Sequence, residues 1–191
     1  MLYVGLDLGK QHDYTALTVA QRADDAVHIV HLHRYPLKTD YTAIATDLAT
    51  TLQRPPFTTG CILGVDATGL GGPFLDLLRG QAERLPVIGI TITGDRAAKW
   101  TSGRDVRVPK SELARTMARL VEAAQLRVAG GLSLAGQLMA EMRRFQAQID
   151  RNGHVRYAAD FGAGQNDDLV LSAMYSVWLA KNVHRRVQPV H

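Results

Sequence analysis

Near residue 38 the apolar residues of this chain change spacing from every second position to every third or fourth. That change constrains the fold more than any other feature. Before it, Leu2, Val4, Leu6 and Leu8 fall on one side of an extended segment, with Tyr3, Gly5, Asp7 and Gly9 on the other. A polar run over 9–13 turns the chain, residues 15–20 are rich in β-formers, Ala23-Asp24-Asp25 turns it again, and residues 27–35 alternate once more. Three such segments on short polar turns predict an antiparallel meander. After it, Thr39 and Asp40 can cap a helix with Tyr41, Ile44, Leu48 and Leu52 at helical spacing, stopped by Pro55-Pro56. Residues 61–66 predict a short buried strand, 70–79 a helix entered through glycines, and 86–92 another strand. Pro109 suits the first turn of a helix carrying Leu113, Met117, Leu120, Val121 and Ala124 on one face. A second amphipathic helix carries Leu134, Leu138, Met142, Phe145 and Ile149. Asn152-Gly153 then turns the chain, residues 154–157 predict a short strand, and a last helix runs from Asn166 to about Asn182. The expected architecture is α/β: a mixed sheet of three antiparallel N-terminal strands, then alternating strands and helices, with helices on both faces.

A length of 191 residues fits one domain, expected over 1–182, with a basic tail over 183–191. A hydrophobic fraction of 46% supplies a core, and 21% charged residues exclude wholesale disorder. Cys61 is the only cysteine, so an internal disulfide, a cysteine-based zinc site and a CxxC redox motif are all excluded. No apolar run reaches the length of a membrane span. The first residues read as a strand without a charged leader, so a cytoplasmic protein is expected. A net charge of +4 permits a nucleic-acid partner without requiring one.

Three carboxylate positions stand out. Asp7 lies inside an apolar strand, where an isolated carboxylate costs several kcal/mol or more in desolvation. Asp66 ends the apolar run CILGVD, and ligands of open α/β sheets bind beyond the carboxyl ends of strands. Asp167 and Asp168 open the last helix, where the helix dipole alone can account for them at about 1 kcal/mol or less each. Taken together, two strand carboxylates and one helix start can converge on hard divalent cations. Mg²⁺ prefers oxygen ligands and needs few of them beside substrate phosphate. Two such ions roughly 4 Å apart clamp the attacking and leaving oxygens of an in-line phosphoryl displacement. No nucleophilic side chain is then needed, and no convincing Ser/His/Asp or Cys/His grouping is present.

The chain resembles RNase H-like nucleases, and more closely the nuclease domain of phage large terminases. The segments GLDLGKQHDYTALTV at 5–19, LGVDATGLGGPFLDLL at 63–78, VPKSELARTMARLVEAAQLRV at 108–128 and NDDLVLSAMYSVWLA at 166–180 carry the resemblance. LAGQLMAEMRRF at 134–145 matches a further family helix, with Met142 where Leu is common. Each motif is degenerate, but their order and spacing together are specific. The resemblance implies a Mg²⁺- or Mn²⁺-dependent DNA endonuclease using two ions, cutting concatemeric viral DNA during genome packaging in the host cytoplasm. It implies catalytic roles for Asp7, Asp66 and Asp168 and metal binding by Asp7, Asp66, Asp167 and Asp168. Asp168 is ranked slightly ahead of Asp167. Asp13 matches a recurrent family position, with a structural role expected for an exposed turn residue. Double-stranded DNA is the implied partner, with a terminase ATPase domain or chain, a small terminase subunit and a portal. The sequence departs from a complete large terminase in having no G-x-x-x-x-G-K-[ST] phosphate loop, so ATP-dependent work is expected of another region or chain. The rivals are a Holliday-junction resolvase of the same fold and a non-catalytic DNA-binding module.

Residues 93–108 are polar and basic. They predict a long connection, with room for a hairpin, bordering the carboxylates and holding little to bury. Arg96, Lys99, Arg104, Arg107 and Lys110 suit a DNA phosphate track. Trp100 among them can stack on a base or tuck into the core. Gly69, Gly71 and Gly72 lack a phosphate-loop spacing and predict close packing. His28, His31 and His33 lack an accompanying carboxylate and predict strand packing. His12 is expected at the surface, with a weaker reading as a water-orienting group.

Overall fold

The computed structural model describes residues 1–9, 13–69, 71–82, 85–149, 155–159 and 167–183. The meander forms as the alternation predicts. Strand β1 (Leu2–Asp7) pairs antiparallel with β2 (Ala16–Ala23), which pairs antiparallel with β3 (Ala26–Arg34). Helix α1 (Tyr41–Leu52) starts where Asp40 accepts a hydrogen bond from the Thr42 amide, and it buries Ile44, Leu48 and Leu52. Strand β4 (Cys61–Asp66), helix α2 (Gly71–Gln81) and strand β5 (Val87–Thr93) follow. Next come β6 (Lys99–Trp100), β7 (Asp105–Pro109), α3 (Lys110–Glu122), β8 (Leu126–Val128) and α4 (Ala135–Arg144). A separate ribbon of β9 (Phe145–Ile149) and β10 (Val155–Ala159) precedes α5 (Asp168–Asn182).

The main sheet has the order β6-β7-β5-β4-β1-β2-β3-β8. Strands β4, β5 and β7 join β1 in parallel, and β8 lies parallel to β3. Only β2 and β6 run the other way. Alternation along β1 sends Val4 and Leu6 to the face covered by α1 and α2 and Tyr3 to the face covered by α3, α4 and α5. Helix α5 is buried from Asp168 to Ala180, as a helix between a sheet and other helices must be. It lies tightly on the strands: a Cβ added at Gly5 would sit 2.0 Å from the Ser172 carbonyl oxygen. Thr18 and Ser172 hydroxyls meet at 2.8 Å beside that crossing.

Four expectations fail. Residues 105–109 form a strand of the main sheet, not part of a loop with little to bury. Val106 and Val108 are in the core, because one face of the Asp-Val-Arg-Val-Pro alternation is apolar while the other carries the charges. On α3 the buried face is Leu113, Ala114, Met117 and Leu120, whereas Val121 is exposed. Ala124 lies past the helix end with φ 54°. Phe145 and Ile149 do not continue α4: a spacing of four suits period two as well as helical spacing, and strand pairing claims the segment. Strand β8, absent from the expectations, adds an edge to the sheet. The turn at Asn152-Gly153, Asn166, His12 and residues 184–191 lie outside the described residues.

Candidate active site

Strands β1, β3, β4, β5 and β7 all run in one direction, so their carboxyl ends share one edge of the sheet. That edge receives Asp7 from β1, Arg34 from β3 and Asp66 from β4. The close seat of α5 over Gly5 brings the helix start, with Asp167 and Asp168, to the same edge. Residues far apart in sequence thus meet because of strand direction and one glycine.

Asp7 is 9% exposed. Burial raises its pKa well above the ordinary carboxylate range, and the neighbouring charges of Asp66, Asp167 and Asp168 raise it further, in that order. Lys110, first residue of α3, opposes the shift. Asp66 is held from two sides: Oδ1 accepts from the Thr68 amide at 2.7 Å, and the Tyr175 hydroxyl donates to Oδ2 at 3.2 Å. Burial and the charges of Asp7 and Asp66 hold the Tyr175 phenol strongly in its protonated, donating form. Gly71 allows the loop after Asp66 to close, since a Cβ there would meet the Asp66 carbonyl oxygen at 2.0 Å. Close packing is therefore met at this glycine.

Asp167 precedes the first turn of α5 and makes no side-chain capping bond. Burial raises its pKa, and among the charges acting on it are Lys110 and Asp13. Asp168 is 3% exposed and differently engaged: Arg34 Nε donates to Oδ2 at 2.5 Å and Nη2 to Oδ1 at 3.0 Å. Arg34 Nη2 also donates to Glu141 Oε1 at 2.5 Å, and the Val170 amide donates to Glu141 Oε2 at 2.9 Å. Glu141 is 1% exposed, and burial pushes its pKa up to about 7 against the pull of the Val170 amide and Arg34. The sequence reading missed Arg34, Glu141 and Tyr175.

The donor set is made of carboxylate oxygens, which suits Mg²⁺ or Mn²⁺. Asp7 in particular is a buried carboxylate pressed by three others with Lys110 as the opposing cation, a deficit that bound cations would offset. Among the described residues, no three acidic, histidine or cysteine side chains are already gathered as ligands of one ion. Several of their oxygens are turned to Thr68, Tyr175 and Arg34 instead.

The basic residues separate into two places. Lys110 stands at the carboxylate edge. Lys99 and Arg107 are cross-strand partners on β6 and β7, at the outer margin of the sheet, where Arg107 pairs with Asp95 at 3.3 Å. Arg96 and Arg104 are exposed in the adjoining segments, and Trp100 is 43% exposed instead of tucked into the core. His31 and His33 stack with ring centroids 6.4 Å apart, and both line an apolar pocket beside α1. No membrane-spanning helix occurs among the described residues.

The chain has an RNase H-like α/β fold. It is similar to solved terminase structures. The large terminase nuclease of thermophilic phage G20c is 19% identical, with 92% of this chain and 80% of that chain covered and a TM-score of 0.67. The manganese-soaked human cytomegalovirus terminase nuclease domain is 12% identical, with 98% and 87% covered and a TM-score of 0.60. The large terminase of a second thermophilic bacteriophage is 14% identical over 93% of this chain but only 39% of its own, with a TM-score of 0.62. No protein-family model and no curated protein matches the chain in sequence.

Proposed function

We propose that this chain is a divalent-metal-dependent DNA endonuclease that cuts viral DNA during genome packaging. The observation that carries the reading is the meeting of Asp7, Asp66 and the Asp167-Asp168 pair at one sheet edge, within a fold shared with terminase nucleases. Asp7, Asp66 and a carboxylate from the helix-start pair would hold two Mg²⁺ or Mn²⁺ ions. When bound, such ions activate water and stabilise the leaving oxygen of a phosphodiester. Tyr175 and the Thr68 amide orient the Asp66 carboxylate. Lys110 offers an ammonium beside Asp7 that can neutralise a phosphate drawn over the edge. Arg96, Lys99, Arg104 and Arg107 would follow the DNA backbone away from the cut, contacts that position without reading sequence. By the same reading, a terminase ATPase domain or chain, a small subunit and a portal are its partners.

The test is nicking or linearisation of supercoiled plasmid with Mg²⁺ or Mn²⁺. Cleavage should vanish with chelator and in Asp66→Asn. Cleavage that survives chelator or the substitution overturns the proposal. Preference for four-way junctions over plain duplex would favour the resolvase reading.

A further inference from the structure

The two adjacent aspartates at the start of α5 are not equivalent. Both carboxylate oxygens of Asp168 accept hydrogen bonds from Arg34. The same guanidinium reaches Glu141, whose other oxygen takes the Val170 amide. This amide is among the first of α5, which have no partner within the helix. Arg34 is 10% exposed and both of its carboxylate partners are nearly fully buried, so the group forms one closed unit. It ties the end of β3, the last part of α4 and the first turn of α5 together. Asp167, by contrast, makes no side-chain capping bond and is partly exposed.

We propose that Arg34 and Glu141 are positioning residues that take Asp168 out of the ligand set and fix the first turn of α5, so that Asp167 faces the ions beside Asp7 and Asp66. This rests on the reading of the edge as a metal-dependent nuclease site. A bidentate guanidinium takes up one lone pair on each oxygen of a carboxylate and offsets its charge, so the carboxylate is a poorer ligand for a cation than an unpaired one. Removing Asp168 would take from the buried Arg34 one of its two carboxylate partners, a structural loss. Removing Asp167 would break no side-chain capping bond and would cost the site a ligand. Removing Arg34 would free Asp168 and loosen the helix start, which acts on the metal through position.

The experiment is Mn²⁺ titration of the full chain without DNA, read by electron paramagnetic resonance, paired with melting temperature in chelator. Asp167→Asn should weaken Mn²⁺ binding by at least about tenfold and leave the metal-free melting temperature unchanged or higher. Asp168→Asn should keep Mn²⁺ affinity within about threefold, since no ligand is lost, and lower the melting temperature. Arg34→Ala should weaken Mn²⁺ binding by about 10–100-fold, as loss of outer-shell support commonly does, with partial recovery in Arg34→Lys. If the arginine variants do not fold, the contrast between Asp167→Asn and Asp168→Asn decides alone. An Asp168→Asn protein that melts normally and loses Mn²⁺ as Asp167→Asn does overturns the inference while leaving the nuclease reading intact. A wild-type chain that binds no Mn²⁺ overturns both.

Discussion

At the scale of single residues, the carboxylates show how far chemistry can be read without a structure. Asp7 was conspicuous because an apolar strand does not keep a lone charge without a use for it. Its burial and the charges of its three acidic neighbours yield a linked pair of predictions. Asp7→Asn should nearly abolish cleavage and preserve the fold, and in chelator it should melt higher than wild type, since it removes a repelled charge. The folded-state pKa of Asp7 is raised, so the metal-free fold binds a proton more readily than the unfolded chain does. Stability is then greatest below the ordinary carboxylate pKa and falls as pH rises toward the folded value. Melting temperature in chelator should decline across that window, and Asp7→Asn or added Mg²⁺ should flatten the decline. An unchanged slope in the variant would falsify the assignment of the strain to Asp7. Arg34 and Glu141 were not legible in the same way. An arginine at a strand end and a glutamate on an amphipathic helix are ordinary surface patterns. Their partnership spans 107 residues, and that of Arg34 with Asp168 spans 134.

Among the elements, α5 and the β6–β7 hairpin carry the most consequence. Helix α5 delivers its aspartates only because β1 presents Gly5 beneath it, with the Ser172 carbonyl and the Ser176 amide within 2.7 Å of a would-be Cβ. Both obstacles are backbone, so the helix itself must shift. Gly5→Ala should cost at least about 1–3 kcal/mol by overpacking, and should weaken Mn²⁺ binding in whatever fraction folds. Chemical denaturation together with the Mn²⁺ titration measures both. The meander, the helix capped by Asp40 and the strand ending at Asp66 were legible because each shows one clean period bounded by turn residues. Strand β7 was hidden by its charges: Asp105 and Arg107 dominate a segment whose Val106 and Val108 decide its fate. The correction alters the expected behaviour of the basic residues. Arg107 now belongs to a strand of the main sheet, and its bond to Asp95 joins two half-exposed groups. Replacing Arg104 and Arg107 with alanine should raise the DNA dissociation constant severalfold, at about 1 kcal/mol or less of stability. A calorimetric melt beside a binding isotherm separates the two effects. Early unfolding with normal binding would make these residues structural.

For the molecule as a whole, the strand order sets the distance between the carboxylates and the outer basic residues. The order of elements and the presence of helices on both faces were legible from the change in period near residue 38, but the strand order was not, since pairing across the sheet leaves no local mark. That order places β6 four strands from β1. At about 4.8 Å per strand β6 lies about 19 Å from Asp7 along the edge. Duplex DNA rises about 3.4 Å per base pair, so phosphates reaching Arg107 and Lys99 belong to positions about 4 and about 6 base pairs from those at the carboxylates. A duplex lying along this edge should need at least the longer of these lengths on one side of the cut. Each phosphate it neutralises there should add about −0.9 to the slope of log affinity against log salt. Duplexes cut at a fixed position, with one flank shortened a base pair at a time, test this directly. Affinity should fall and the salt slope should become shallower once the flank drops below about 6 base pairs, and Lys99→Ala with Arg107→Ala should remove the length dependence. Equal cleavage and an equal salt slope at every flank length would mean that the duplex crosses the edge instead of following it, leaving the hairpin outside the DNA contact.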